Sequence, residues 1–295
     1  MTHHARRTIQ RRTTCLAVFL LGTVLLYWAP LAALARLAWT QEHYSHVLVV
    51  PLISAVLFVL ERKRIFAVIG TSWPAGLALL GVGAALYAAS RRFAGALSAN
   101  DTLVVVILSA VVVGVAGIAL CFGVGALRRG LFPAAFLLLM VPLPDVVLET
   151  VVRALQLGTA EVSEILFQLS GVAFLRSGLD FELPGLIVEV AEECSGIRSS
   201  MALVLTNLLA GHLFLRSIWA KVVLTLVTIP LLVIKNAIRI VTLSLLSIHV
   251  DPGFLTGHLH RRGGAVFFAI ALALLGVVLV SLQKAERTSS ARLHA

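Results

Sequence analysis

Long apolar stretches dominate the chain and predict membrane-spanning helices, because about 20 helical residues cross roughly 30 Å of hydrocarbon. Five stretches are strong, at residues 15–35, 103–124, 197–215, 222–238 and 265–282. Three are weaker, at residues 46–60, 73–89 and 131–148, and prolines interrupt the first and the last of these. We therefore expect an all-α, multi-pass integral membrane protein with about eight transmembrane helices.

Residues 149–193 form the one sizeable polar interruption, and we expect them to be an extracytoplasmic loop. Apolar residues recur at helical spacing through its first half, which predicts an amphipathic helix at the interface, at Leu155, Val162, Ile165, Leu166 and Leu169. Residues 180–190 alternate polar and apolar positions about Pro184 and Gly185. This alternation predicts a small β-hairpin.

The composition agrees with a membrane protein. Hydrophobic residues make up 59% of the 295 residues and charged residues 13%, and the mean hydropathy is +1.00, whereas soluble domains carry about 25% charged residues. These values exclude a soluble enzyme, a disordered chain and a secreted disulfide scaffold. The three cysteines are an odd number and indicate no disulfide framework.

The net charge of +10 is better explained by membrane topology than by nucleic-acid binding, because basic residues collect in short segments between spans. If residues 1–14 are cytoplasmic, the segments around Arg62, Arg128, Arg216 and Lys284 are cytoplasmic too. We expect one membrane domain at residues 15–282, with both termini, including the tail 283–295, in the cytoplasm. A cleaved signal peptide is the competing interpretation of the first span, but that span is longer than a usual signal core.

Ionisable residues at the edge of a membrane are costly and therefore functional candidates. Three positions stand out: Cys194, Arg239, and the pair His258 and His260. In the expected topology each lies at the extracytoplasmic end of one of the last three spans. The three spans must then be neighbours for a thiol, a guanidinium and an imidazole to meet.

These three groups together suit acyl transfer at a peptide bond. A thiolate is favoured at a helix start near a cation such as Arg198, although Glu192 and Glu193 oppose this effect. A histidine can protonate a leaving amine, and an arginine can hold an oxyanion. Other interpretations stay open at this point. Arg239 and Lys235 could extend to lipid head groups. The two histidines could lie in a solvated loop, or bind a metal although no further ligands are evident, and Cys15 and Cys121 could be packing residues.

Several motifs resemble the exosortase/archaeosortase family. The most specific runs from Val190 to Arg198 (VAEECSGIR), and a second is Asn236 to Arg239 (NAIR). The third places Gly264 and Phe268 four and eight residues after His260. The segments His43-Tyr44-Ser45-His46, with Pro51 after it, and Met140-Val141-Pro142-Leu143-Pro144 add to the likeness, which extends from about residue 39 to 282.

The resemblance implies a cysteine transpeptidase or protease of the bacterial inner membrane with its active site on the extracytoplasmic side. Its substrates would be membrane-anchored proteins with a C-terminal sorting signal, a Pro-Glu-Pro-like motif followed by a membrane helix and a basic tail. The catalytic residues carry over to Cys194, Arg239 and His260, with supporting positions at His258, Asn236, Arg198 and His46. No cofactor, metal or nucleic acid is implied, and the acceptor of the cleaved chain stays open.

Two functions of other classes compete with this interpretation: a multi-pass transporter, and a membrane acyltransferase that modifies polysaccharide and uses histidine as base. Neither would use a cysteine in catalysis. A transporter would place charges near the bilayer midplane between broken helices or inverted repeats. Replacing Cys194 distinguishes both alternatives from cysteine catalysis.

Overall fold

The computed structural model describes residues 3–67, 70, 72–190, 197–251, 253 and 264–293. The side chains at 3–6, 8, 42, 43, 197, 198 and 289–293 are outside this description. The described chain is mostly helical and carries one small antiparallel sheet. It forms two compact units, residues 1–147 and 148–295, and each is described by itself.

The first unit is built around a long central helix, α6, which packs against α1 and α5. Its helices are α1 (His3–Leu26), α2 (Trp28–Thr40), α3 (Val50–Leu60), α4 (Arg62–Ile65), α5 (Trp73–Arg92), α6 (Ala99–Arg129) and α7 (Leu131–Phe136). Two 3-10 helices lie between them, at Glu42–Leu48 and Leu137–Met140.

Small residues allow α5 and α6 to pack closely. A Cβ atom on Gly83 of α5 would lie 2.5 Å from Val113 Cγ2 of α6, so a larger residue would force the Val113 side chain to move. Ser109 of α6 donates a hydrogen bond to the Gly83 carbonyl oxygen at 2.7 Å, and its hydroxyl lies 2.6 Å from that of Tyr27. Close backbone approach with buried hydroxyl contacts is typical of helices packed within a membrane.

Proline interrupts two of the expected spans of this unit. The stretch 15–35 does not form one helix, since α1 ends at Leu26 and α2 begins at Trp28, with Pro30 in the first turn of α2. The stretch 131–148 is also broken, because the chain is extended at Val141 and the next helix begins only after Pro144. A proline ring removes one backbone donor and clashes with the preceding helical turn.

The second unit contains α8 (Asp145–Ser170, which begins at the end of the first unit), the strands β1 (Leu175–Ser177), β2 (Asp180–Leu183) and β3 (Leu186–Glu189), and three long helices. These helices are α9 (Ile197–Phe214), α10 (Ile218–His249) and α11 (Gly264–Leu293), and each of them packs against the other two. Leu203, Leu224 and Leu275 lie in their shared core. The expectation that the last three spans are neighbours is confirmed.

The sheet packs on α8 and on α10. Phe167 of α8 and Phe181 of β2 lie with ring centroids 5.3 Å apart, and Ile240 and Val241 of α10 join the same buried cluster. The strand order is β1-β2-β3. The hairpin predicted about Pro184 is present as β2 and β3, with Gly185 at a positive φ of 78° as a tight turn requires, whereas β1 is an additional strand.

An ion pair also holds the sheet to α8. Arg176 of β1 donates hydrogen bonds to Glu164 and, at 2.8 Å, to Glu161. These bonds raise the pKa of the Arg176 guanidinium, because both carboxylates favour its charged form. The Arg176 guanidinium carbon also lies 5.7 Å from the ring centroid of Phe181.

Five described helices are long and apolar enough to cross a membrane, or six if the α7 region and α8 form one broken span. The five lie within α1, α5, α6, α10 and α11. Two other apolar helices, Tyr44–Leu60 and Ser199–Phe214, are shorter. Sixteen residues at 1.5 Å each give Ser199–Phe214 a length of about 24 Å, less than the hydrocarbon thickness. The helical, multi-pass character is confirmed, but the eight spans are not.

The surface of these helices suits a lipid environment. Many large apolar side chains on them are exposed, among them Leu26, Leu77, Trp219, Val266 and Val277. A soluble protein rarely exposes so much contiguous apolar surface. Hydrocarbon is the solvent in which such side chains carry no penalty.

Candidate active site

The structure describes only part of the site that the sequence predicts. Cys194, His258 and His260 lie outside the described residues. Arg198 lies in the first turn of α9, but its side chain is not described either. Arg239 and Asn236 lie on α10, and His46 lies half-buried in the 3-10 helix Glu42–Leu48 of the first unit.

Three polar residues share one face of α10. Asn236 and Arg239 are three residues apart, and Lys235 is four residues before Arg239, so their side chains lie above one another on the helix. Asn236 is fully buried, Lys235 is 6% exposed and Arg239 is half-buried. Buried polar groups in the second half of a long apolar helix are costly and indicate a function beyond packing.

Lys235 contacts the beginning of α9. Its Nζ donates a hydrogen bond to the Ser199 hydroxyl. Ser199 is the third residue of α9 and follows Cys194 by five positions. The polar face of α10 therefore packs against the first turn of the helix that continues from the cysteine motif.

A second hydrogen bond holds the other side of that motif. Gln156 Nε2 on α8 donates to the Val190 carbonyl oxygen at 3.0 Å. Val190 is fully buried, and its own N–H donates to the Leu179 carbonyl oxygen. Cys194 follows four residues later, so polar contacts from α8 and α10 hold the described residues on both sides of the cysteine motif.

Arg239 immediately precedes two residues of α10 that pack against the sheet. The next two residues on α10, Ile240 and Val241, pack in the cluster formed by α8 and the sheet. One helix thus places its cationic face at the level where the sheet docks. Because α10 continues to His249, Arg239 lies inside a rigid helix and not at its frayed end.

In the first unit, two segments that resemble the family pack together. Tyr44 and Val47 share a buried cluster with Met140 and Val141. A polar network adjoins it: the Tyr44 hydroxyl donates to Asn100 at 3.2 Å, and the Asn100 amide donates to Asp145 Oδ1 at 2.7 Å. The network fixes the start of α6 to the chain that follows Pro144.

Basic segments meet at one end of each unit. In the first unit, Arg64 donates to the Arg129 carbonyl oxygen at 3.1 Å, and Arg12 donates to the Gly70 and Cys121 carbonyl oxygens. In the second unit, Glu286 of α11 accepts from the Ser217 N–H at the start of α10. These ends carry the residues that the charge pattern assigns to the cytoplasm.

The described thiols and acidic groups show no further site. Cys15 is exposed on α1, and Cys121 is half-buried on α6. Within the described ranges no three His, Cys, Asp or Glu side chains are grouped so that they could hold a metal ion.

Two contacts were missed by the sequence reasoning. Lys235 was considered as a side chain that extends to head groups, yet it is buried and bonded to Ser199. Lys235 lies four residues before Arg239, and this spacing indicated that the two side chains share one face of the helix. The contact of Gln156 with Val190 had no signal, because it depends on how α8 packs against the sheet.

The fold and the polar face of α10 define a multi-pass membrane protein with buried polar groups on one of its long helices. The chain matches the transmembrane exosortase family (Exosortase_EpsH) over residues 38–277, which is well over half its length. It therefore belongs to this family. Neither the curated proteins nor the solved structures contain a match to it.

Proposed function

We propose that this chain is a cysteine protease or transpeptidase that cleaves C-terminal sorting signals of exported proteins at the outer face of the bacterial inner membrane. Its catalytic residues are Cys194, Arg239 and His260. The observation that carries the proposal is the face of α10 with Asn236 and Arg239, packed through Lys235 against the start of α9 in a chain of the exosortase family.

The grouping of basic segments supports the orientation. Short loops rich in Lys and Arg remain in the cytoplasm. The contacts of Arg64 with Arg129, and of Glu286 with Ser217, join such segments within each unit. The sheet, α8 and Arg239 then belong to the extracytoplasmic side.

The length of α10 supports the depth of the site. From Ser217, which caps the helix, to Arg239 there are 239 − 217 = 22 residues. At 1.5 Å per residue they span about 33 Å, close to the thickness of the hydrocarbon core. Arg239 therefore reaches the interface opposite to the end held by Glu286.

The proposed reaction proceeds through a thioester. The Cys194 thiolate attacks the scissile carbonyl carbon, and Arg239 stabilises the oxyanion of the tetrahedral intermediate. His260 gives a proton to the leaving nitrogen as the C–N bond breaks, which leaves an acyl-enzyme and a free amine. Water or another nucleophile then attacks the thioester, loses a proton to the histidine and releases the thiolate.

The remaining predicted residues have supporting roles in this proposal. Asn236 is buried beside Arg239 and orients it on α10. Arg198, one turn after the cysteine, adds positive charge at the helix start. His258 is the alternative proton carrier, and His46 belongs to the first-unit segment that resembles the family.

The first experiment replaces the nucleophile. Cys194→Ala and Cys194→Ser should abolish cleavage of a co-expressed membrane protein that carries a sorting signal, because a serine hydroxyl is not ionised near neutral pH. Cys121→Ser is the matched control and should retain cleavage. A hydroxylamine-sensitive acyl-enzyme should accumulate on wild-type protein, and near-normal cleavage by Cys194→Ala would favour a transporter or a histidine-based acyltransferase.

The second experiment tests the substrate class. A helix in lipid does not expose its backbone, so the scissile bond must lie just outside the hydrocarbon. The basic tail of the substrate would stay cytoplasmic and set the depth of that bond. Moving the motif about ten residues away from the substrate's membrane helix should stop cleavage. Efficient cleavage of the displaced motif would contradict selection by membrane depth.

A further inference from the structure

Lys235 is an unusual residue for its position. It is 6% exposed within an apolar helix, where a charged side chain needs a compensating partner. Its described hydrogen bond goes to a neutral hydroxyl, that of Ser199. Packing alone would be served better by an apolar residue of similar length.

The charge of Lys235 is not balanced by a carboxylate in the part of the chain that the structure describes. None of the ion pairs between described side chains, which include those of Arg64 and Arg176, involves Lys235. The charged group that acts on Lys235 is instead Arg239, another cation, on the same helix face. Two like charges four residues apart destabilise a helix, so a nearby anion would stabilise the charged form of Lys235.

The sequence shortly before Ser199 contains candidate anions. Cys194 lies five residues before Ser199, and Glu192 and Glu193 come immediately before the cysteine. A thiolate is an anion that reaction chemistry requires, and a buried cation favours its formation. The two glutamates are the competing counter-ions, and an experiment must separate them from the thiolate.

We propose that Lys235 is a positioning residue of the active site: bonded to Ser199, it holds the helix after Cys194 against the Arg239 face of α10, and its charge favours the thiolate. This inference rests on the proposed function, since it takes Cys194 as the nucleophile. It assigns a role to a residue outside the set of Cys194, Arg239 and His260. The role is electrostatic and geometric, without contact to the substrate.

The test measures thiol ionisation and needs no substrate. In a Cys15→Ser, Cys121→Ser background, Cys194 is the only thiol, and its alkylation by iodoacetamide is followed from pH 5 to pH 10 in purified protein. Lys235→Met should move the midpoint of this profile upward by about one pH unit, which slows alkylation at pH 7 about tenfold. The rate at pH 10 should stay within about twofold of the parent's, because the thiol is ionised there in both proteins.

The matched controls separate charge at the site from general damage. Lys221→Met makes the same substitution near the other end of α10 and should leave the midpoint unchanged. Ser199→Ala should move it in the same direction as Lys235→Met but less, whereas Ser200→Ala, one residue on, should not. The Ser200 hydroxyl has no hydrogen-bond partner within the described residues.

Equal midpoints for Lys235→Met and Lys221→Met would overturn the inference and assign the charge of Lys235 to Glu192 or Glu193. If Lys235→Met does not accumulate in membranes, equal midpoints for Ser199→Ala and Ser200→Ala would overturn it. A different result would contradict the proposed function, namely cleavage of the sorting signal by Cys194→Ala.

Discussion

The hydrogen bond from Gln156 to the Val190 carbonyl oxygen gives a quantitative prediction. Gln156→Leu keeps the size of the side chain but removes the donor. The Val190 carbonyl is buried, so it loses its described partner without gaining access to water. Leaving a buried acceptor without a partner costs about 1–3 kcal/mol.

Most of that cost should affect the segment that leads to Cys194, because Val190 lies only four residues before the cysteine. If about 1–2 kcal/mol separates the productive arrangement of the segment from others, cleavage should slow roughly 5- to 30-fold. The global fold should change less, since the aromatic cluster of α8 and the sheet stays intact. We expect a lower rate at saturating substrate without loss of protein from the membrane.

The assay compares two substitutions of one type on α8. Cleavage of a co-expressed sorting-signal reporter is followed by pulse-chase labelling in cells with Gln156→Leu or Gln168→Leu. Gln168 is exposed near the end of the same helix, so its replacement should leave the rate unchanged. Cleavage by Gln156→Leu within twofold of Gln168→Leu would refute the argument that this bond positions the cysteine segment.

Three further substitutions test the site and the packing of each unit. Arg239→Lys should reduce cleavage in the reporter assay at least about 100-fold, nearly as much as Arg239→Ala, because an ammonium group cannot replace the planar guanidinium. If Arg239→Lys keeps most of the activity, the role of Arg239 is reduced to bulk charge. Arg176→Leu should lower the free energy of unfolding by about 1 kcal/mol, which is measured as a lower melting temperature. Arg153→Leu, on the exposed surface of α8, is the control and should leave the melting temperature unchanged. Equal melting temperatures of the two variants would mean that the ion pairs of Arg176 contribute nothing. Gly83→Ala should destabilise by about 1–3 kcal/mol, since its new methyl group would lie 2.5 Å from a side chain of α6, and Gly81→Ala, which meets open space, is its control. An unchanged melting temperature in Gly83→Ala would show that α5 and α6 separate without cost.

Hydropathy was sufficient to predict the class of fold. Apolar stretches long enough to cross a membrane can form few structures other than a helix. The helices α5, α6, α10 and α11 accordingly begin within a few residues of the expected positions. The positions at which the helices end were less predictable. α10 continues eleven residues beyond Ile238, because no proline or glycine stops it and Ile240 and Val241 are buried by α8 and the sheet.

The errors have local physical causes. Pro30 and Pro144 were visible in the sequence, but whether a proline bends or ends a helix depends on what the neighbouring turns contact. The strand β1 has three residues, too few to show an alternation, and it exists because β2 pairs with it. The bonds of Gln156 and Lys235 join segments more than thirty residues apart, which no local pattern encodes.

The arrangement of α10 explains how one rigid element can set the geometry of the proposed site. Its first turns are fixed by Glu286, its middle packs against α9 and α11, and its second half is buried by α8 and the sheet. Lys235, Asn236 and Arg239 lie between the last two of these contacts, so their height and direction cannot vary independently of the fold. A catalytic group must be held within about 0.5 Å of its productive position, and a helix clamped on both sides of the group achieves this better than a loop. The described residues on the two sides of Cys194 are held by the bonds from Gln156 to Val190 and from Lys235 to Ser199, so each bond constrains one end of the segment that carries the proposed nucleophile.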